Sequence, residues 1–270
     1  MQKATRCVLA AAFLVVSSGT PSSPAPWGSR QPKLPGTIVD LTHAFDADTI
    51  YWPTAGRFEL ESVAHGVTDK GYFYAANRFC AAEHGGTHLD APIHFSEKGK
   101  AADAIPVEQL IGVGIRVDVS AQCAKDRDYR VSVADLTAWE IRNGRIPAGA
   151  IVLLQTGWAA RWSDRTAYLG TALTGAAAVP ELHFPGLHPE AARWLTESRS
   201  IKAVGLDTAS IDFGQSALFE SHVILFAANV LAFENVAAMD QLPVKDFVVA
   251  ALPMKIRGGT GGPLRIVAWW

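Results

Sequence analysis

The sequence predicts an α/β fold around a central mixed sheet, and three observations predict it. GAIVLLQTG (149–157) and IKAVGLDTAS (201–210) are nearly unbroken apolar runs closed by small polar residues, the pattern of strands covered on both faces. Segments of helical period lie between and around such runs. With 49% hydrophobic and 19% charged residues, the 270-residue chain has apolar surface enough for one substantial core. A net charge of −2 without a long basic run gives no electrostatic footprint for nucleic acid.

The elements follow in order. MQKATR carries Lys3 and Arg6, CVLAAAFLVV is a short apolar run, and SSGTPSSPAP is small, polar and broken by proline. That is the order of a secretory signal, so residues 1–19 are expected to direct export to the periplasm or the medium and to be removed. The run is too short to cross a bilayer, so stable membrane insertion is not expected. Residues 20–36, rich in Pro, Ser and Gly, read as a flexible leader onto a single domain spanning 37–270.

That domain opens with a strand at TIVDLTHAF (37–45), and further strands are expected within RFELESVAHG, YFYAANRFCAAEHG, GVGIRVDVS and the two apolar runs above. SVADLTAWEIRNG reads as a helix with Leu136, Trp139 and Ile141 on one face and Asn143-Gly144 as its stop. HPEAARWLTESR reads as another, with Pro189 in its first turn and Ala192, Trp194 and Leu195 inward. SHVILFAANVLAFENV is too apolar to face solvent and is expected to be core strand or buried turn, and PLRIVAWW is a closing strand. Beyond the leader only Cys80 and Cys123 remain; a disulfide and two separate thiols are both open, and neither cysteine has zinc-site spacing.

The densest chemistry is in HGGTHLDAPIHF (84–95), which holds three of the eight histidines and an aspartate. Gly85-Gly86 and the Asp90-Ala91-Pro92 break argue against a helix. In extended chain His84, His88, Asp90 and His94 share one parity and point to one side, with the glycines and Pro92 bending the ends inward. Converging imidazoles and a carboxylate suit a divalent first-row cation, which activates water for attack on a carbonyl.

These residues resemble the HxGTHxDxPxH signature of the cyclase family of metal-dependent hydrolases, which includes kynurenine formamidases and isatin hydrolases. TIVDLTHAF, YWPTAGRFEL, FPGLHPEAARWL and AVGLDTASID extend the likeness over most of 37–270. The resemblance implies the family's swivelling β/β/α-type domain. It also implies that His84, His88 and Asp90 hold the metal and that His94 is the acid/base residue, a fourth ligand being its alternative role. By the same likeness His222 and Glu234, twelve residues apart, complete a second metal site; by itself His222 reads as a satisfied core histidine, while a glutamate in so apolar a stretch needs a cationic partner.

Trp52 stands where related formamidases place a tryptophan against the substrate, with Phe73 and Phe79 as further wall candidates. His43, His65, His183 and His188 read as structural or exposed, and Asp207 and Ser210 divide between function and a turn. The resemblance implies hydrolysis of a small cyclic or aryl amide. Isatin opening to isatinate is preferred, N-formylkynurenine cleavage is the alternative, and a non-catalytic metal-binding protein is a third reading. Isatin hydrolases imply one Mn2+ and formamidases two Zn2+. A homodimer or homotetramer is implied as well.

Overall fold

One mixed sheet closes on itself and separates two hydrophobic cores. The computed structural model describes residues 36–270; the expected signal (1–19) and the leader as far as Pro35 lie outside the described residues. The chain runs through β1 (Ile38–Asp40), β2 (Glu59–Val67), β3 (Phe73–Cys80), β4 (His88–Asp90), α1 (Val107–Leu110) and β5 (Ile111–Asp118). It continues through α2 (Ser120–Cys123), β6 (Arg130–Val131), α3 (Val133–Asn143), β7 (Ile151–Gln155), α4 (Arg165–Leu169), β8 (Gly186–Leu187) and α5 (Pro189–Glu197). Then come β9 (Ala203–Leu206), α6 (Glu220–Ala227), β10 (Leu231–Glu234), β11 (Phe247–Pro253) and β12 (Gly261–Trp269).

The main sheet has the order β1-β12-β11-β5-β7-β9-β10-β4, and β4 pairs back onto β12 to close the ring. β5, β7, β9 and β10 are mutually parallel along this order, and the other pairings are antiparallel. β7 shows why the apolar runs are central strands. Its Val152 and Leu154 enter a core under α3, α5 and α6, while Ile151 and Leu153 enter a second core with Leu89, Phe233, Val249 and Ile266. Alternation along an all-apolar strand therefore feeds two cores at once.

α3 is capped by Ser132 and Asp135, each side chain bonding the other's backbone amide, and Gly144 follows its last turn at φ 91°. Leu136 and Trp139 are buried on it, but Ile141 is 87% exposed, which corrects its expected inward placement. At roughly 100° per residue, Ile141 lies about 200° around from Trp139. SHVILFAANVLAFENV is corrected in its first half, which is helix, while its second half is the expected core strand. The segment forms α6 and then β10, joined at Asn229 (φ 55°); α6 shows no period because its exposed side, with Val223 and Ala227, is as apolar as its buried one. The first strand is shorter than expected, three residues paired to the end of β12. Cys80 and Cys123 are separate thiols. Among the described residues no helix is long and apolar enough to cross a membrane.

A bidentate ion pair ties α3 to the end of α5: Arg199 Nε and Nη2 donate to Glu140 at 2.6 and 2.7 Å, and the guanidinium lies 3.8 Å from the Trp194 ring. These hydrogen bonds lower the Glu140 pKa. A carboxyl with a depressed folded-state pKa adds stability above its unfolded value, about 4.3, and loses it as pH falls through the folded value. Glu140→Gln is expected to cost about 1 kcal/mol at pH 7, with the difference vanishing in acid. Paired thermal melts from neutral to acid pH check this.

Candidate metal centre

The site grows from β4, held between β10 and β12. Within its three residues the two-residue period turns Leu89 into the core and leaves His88 and Asp90 on the other face. Register does the next step. Glu234 on β10 pairs directly with His88, and Gly261 on β12 with Asp90. Residues directly opposite on antiparallel strands share a face, so Glu234 joins His88.

His84 comes in by a bend rather than along the strand, since Gly86 takes φ 59°. Gly261 makes room for it: a β-carbon there would stand 2.4 Å from the Leu89 carbonyl oxygen and 2.6 Å from His84 Cε1. At the other end Pro92 opens a 3₁₀ turn, Pro92–His94, that lays the His94 ring on His84 with centroids 3.8 Å apart. The shared parity of the four residues therefore operates only for His88 and Asp90. His222 arrives from the first turn of α6.

Asp90 is the shared corner. Its Oδ1 lies 2.6 Å from His84 Nδ1 and 3.1 Å from His88 Nε2, and its Oδ2 lies 3.2 Å from His222 Nε2. Glu234 Oε1 is 3.1 Å from His222 Nε2, and Oε2 is 3.4 Å from His88 Nε2. Two triads result, His84–His88–Asp90 and Asp90–His222–Glu234, with the donor atoms of each within 4.8 Å of one another. His88, Asp90, His222 and Glu234 are buried. His88 Nε2 is buried without a hydrogen bond although carboxylate oxygens stand close to it, which fits a nitrogen placed for a cation. Imidazole nitrogens and carboxylate oxygens are a donor set for a divalent metal.

The titration of these groups has one cause. Burial opposes the charged His88 ring, but Asp90 and Glu234 overcome it and raise its pKa to about 9. Burial opposes ionisation of Asp90, but His84, His88 and His222 hold its carboxyl well below the usual range. Burial and the Asp90 charge push Glu234 up. His222 is raised far above an ordinary imidazole, burial being outweighed by Asp212, Asp90 and Glu234. Buried carboxylates here draw positive charge from every side. His94 lies at the mouth of the pocket, where partial desolvation of its ring lowers the pKa to about 4, so it is neutral at pH 7.

The cluster opens into a cavity of about 330 Å3 walled by Ile50, Tyr51, Trp52, Phe95, Phe219 and Ser210 among others. Trp52 meets Phe219 edge-on with centroids 6.2 Å apart. Phe73 does not reach it, which corrects its expected place in the wall. It sits on the β2–β3 hairpin, which pairs with no other strand among the described residues, so its ring is exposed and edge-on to His65. Phe79, on the same hairpin, stacks on Phe58.

The other polar residues do structural work. His43 stacks on Trp162, His183 pairs with Asp128 and His188 caps α5. Asp207 collects the amides of Thr156, Trp158 and Ala159.

Two supports escaped sequence reasoning. Asp212 lies 2.5 Å from His222 Nδ1 and accepts the amides of Ser221 and His222. Thr260 lies 2.8 Å from His84 Nε2 and donates to Glu83. Neither has a local spacing signal, since the contacts span loops and, for Thr260, 176 residues.

Residues 39–213 match the family described as "Putative cyclase". An isatin hydrolase of Roseibium aggregatum is 33% identical over 221 residues, which cover 78% of this chain and 81% of that protein. A kynurenine formamidase of Bacillus cereus is 24% identical, covering 85% and 95%. Among solved structures, isatin hydrolase A from Ralstonia solanacearum superimposes with a TM-score of 0.79 at 33% identity, covering 86% of this chain and 91% of that one.

Asp212 fixes the tautomer and aim of His222, and such outer partners are worth about 10–100-fold in metal affinity. Asp212→Asn is expected to weaken divalent-metal binding by that factor with the circular dichroism spectrum unchanged, as read by competition with a chromogenic chelator.

Proposed function

This chain belongs to the cyclase family, and on that premise we propose that it opens a cyclic amide, isatin to isatinate, with N-formylkynurenine cleavage as the second reading. It is a hydrolase of amide C–N bonds that uses a divalent metal. The observation that carries the substrate reading is the aromatic wall of Trp52, Phe95 and Phe219 above the His84–His88–Asp90 triad. Aromatic walls favour a flat ring.

His84, His88 and Asp90 would hold the cation, and His222 and Glu234 would add a second triad through Asp90. When bound, the cation supplies a Lewis acid that activates water and polarises a carbonyl. The remaining work falls to the chain's own side chains. Trp52 and Phe219 orient the ring of the substrate. The ring nitrogens of His94 make no hydrogen bond among the described residues, so the imidazole is free to take a proton from the attacking water. The C–N bond breaks as the carbonyl carbon gains its new oxygen, and His94 returns the proton to the departing nitrogen.

The second triad is what favours the formamidase reading, since the resemblance links two cations to that branch. The overall likeness at 33% identity favours the isatin branch. We take the cation as manganese or zinc, with metal analysis of the purified protein deciding both identity and number.

We read the partner of the β2–β3 hairpin as a second copy of the chain. Leu60, Val63, Val67, Tyr72, Phe73, Tyr74 and Phe79 are each more than half exposed on it, a larger apolar surface than a monomer ordinarily leaves in water. Family likeness supports a dimer or tetramer.

Three outcomes test these readings. Metal-loaded protein is expected to cleave isatin faster than N-formylkynurenine and to lose that activity to a chelator; the reverse preference selects the second reading. His94→Ala is expected to keep its metal while kcat falls about 10²–10⁴-fold; unchanged turnover overturns the acid/base role. Val63→Asp together with Phe73→Asp is expected to yield monomers by light scattering, and an oligomer of unchanged size excludes the hairpin contact.

A further inference from the structure

The metal pocket is lined by no lysine or arginine among the described residues. Cleavage of an amide there leaves a carboxylate beside Asp90 and Glu234, where no side chain carries a fixed positive charge. Fixed positive charge is present next door. A second cavity, of about 470 Å3, shares Tyr51, Trp52 and Ala55 with the first and adds Arg57 and Arg165.

Neither arginine is neutralised. Arg165 donates only to the Leu173 carbonyl oxygen, and Arg57 has no side-chain hydrogen bond or ion pair among the described residues. Two acids also line this cavity without pairing to them. Asp46 Oδ1 accepts from the Asp48 amide at 2.9 Å and from the Thr49 hydroxyl at 3.4 Å, and Asp48 is exposed. Burial, with the Arg57 charge as the second cause, lowers the Arg165 pKa, as happens to a cation lacking a counter-charge. The wall common to both cavities is apolar ring surface from Tyr51 and Trp52, and the two arginines are the only cationic side chains that line the second cavity among the described residues. A planar guanidinium presents paired N–H groups that match the two oxygens of a carboxylate.

We propose that this second cavity is an organic-carboxylate subsite adjoining the metal pocket, with Arg57 and Arg165 as its donors. The hydrolase reading bears only on where the carboxylate comes from, either carried on the substrate or formed by cleavage. The subsite itself is a binding property.

Benzoate and its neutral counterpart benzamide are the probes, titrated calorimetrically into metal-loaded, full-length protein. The wild type is expected to bind benzoate more tightly than benzamide. Arg57→Gln and Arg165→Gln are each expected to weaken benzoate about 10-fold or more. Arg57 is exposed and makes no side-chain bond, so its replacement reports even where Arg165→Gln perturbs the fold. Benzoate bound equally well by wild type and Arg57→Gln, or no better than benzamide by wild type, overturns the subsite. An inactive protein that still prefers benzoate through Arg57 sinks the hydrolase reading and leaves the subsite standing. With active protein, weaker product inhibition in the variants assigns the ligand to the product, and a raised KM for a carboxylated substrate assigns it to the substrate; either result supports the subsite.

Discussion

The arrangement of the site depends on one constraint, the burial of the Asp90 and Glu234 carboxylates inside an apolar ring of strands. An isolated buried carboxylate is too costly to persist, so positive or hydrogen-bonding groups must surround it. His84, His88 and His222 converge on Asp90 for that reason, and the Ile211 amide donates to Glu234. A divalent cation answers the same demand with more charge in less space.

The fold meets this constraint by closing its sheet through a very short strand. β4 has three residues, yet it pairs on both sides, and this places Glu234 opposite His88 while Gly261 leaves room beneath His84. The flanking core under α3, α5 and α6 anchors α6, which delivers His222 with Asp212 behind it. Chemistry and recognition are then divided. Acids and imidazoles occupy the base of one pocket, aromatic rings its wall, and arginines the adjoining cavity, so that fixed positive charge is kept off the metal ligands.

Much of this was legible before folding. The all-apolar runs of β7 and β9 announced central strands because a strand covered on both faces has no reason to alternate. HGGTHLDAPIHF announced a metal centre because ligand-type residues at that density have few other uses. The failures are equally physical. Ile141 was misplaced because an apolar residue near a helical face need not be on it, and α6 was missed because its exposed side, with Val223, is apolar as well, which leaves no amphipathic period to read. Phe73 was given to the pocket on its nearness to the motif in sequence, but the hairpin carries it out to solvent.

Local sequence already carries the chemical inventory of one segment: His84, His88 and Asp90, the imidazole that follows them at position 94, and the glycines and proline that must bend it. Those are local properties, settled by side-chain chemistry and backbone freedom. The closed sheet settled how distant groups meet at the site, of which only His222 and Glu234 were expected, and those by resemblance. Strand register set Glu234 against His88, loop closure brought Asp212 to His222 and Thr260 to His84, and the path of residues 46–57 set Arg57 and Arg165 along one cavity. Contacts across so many residues follow from how the sheet closes, and no spacing along the chain encodes them.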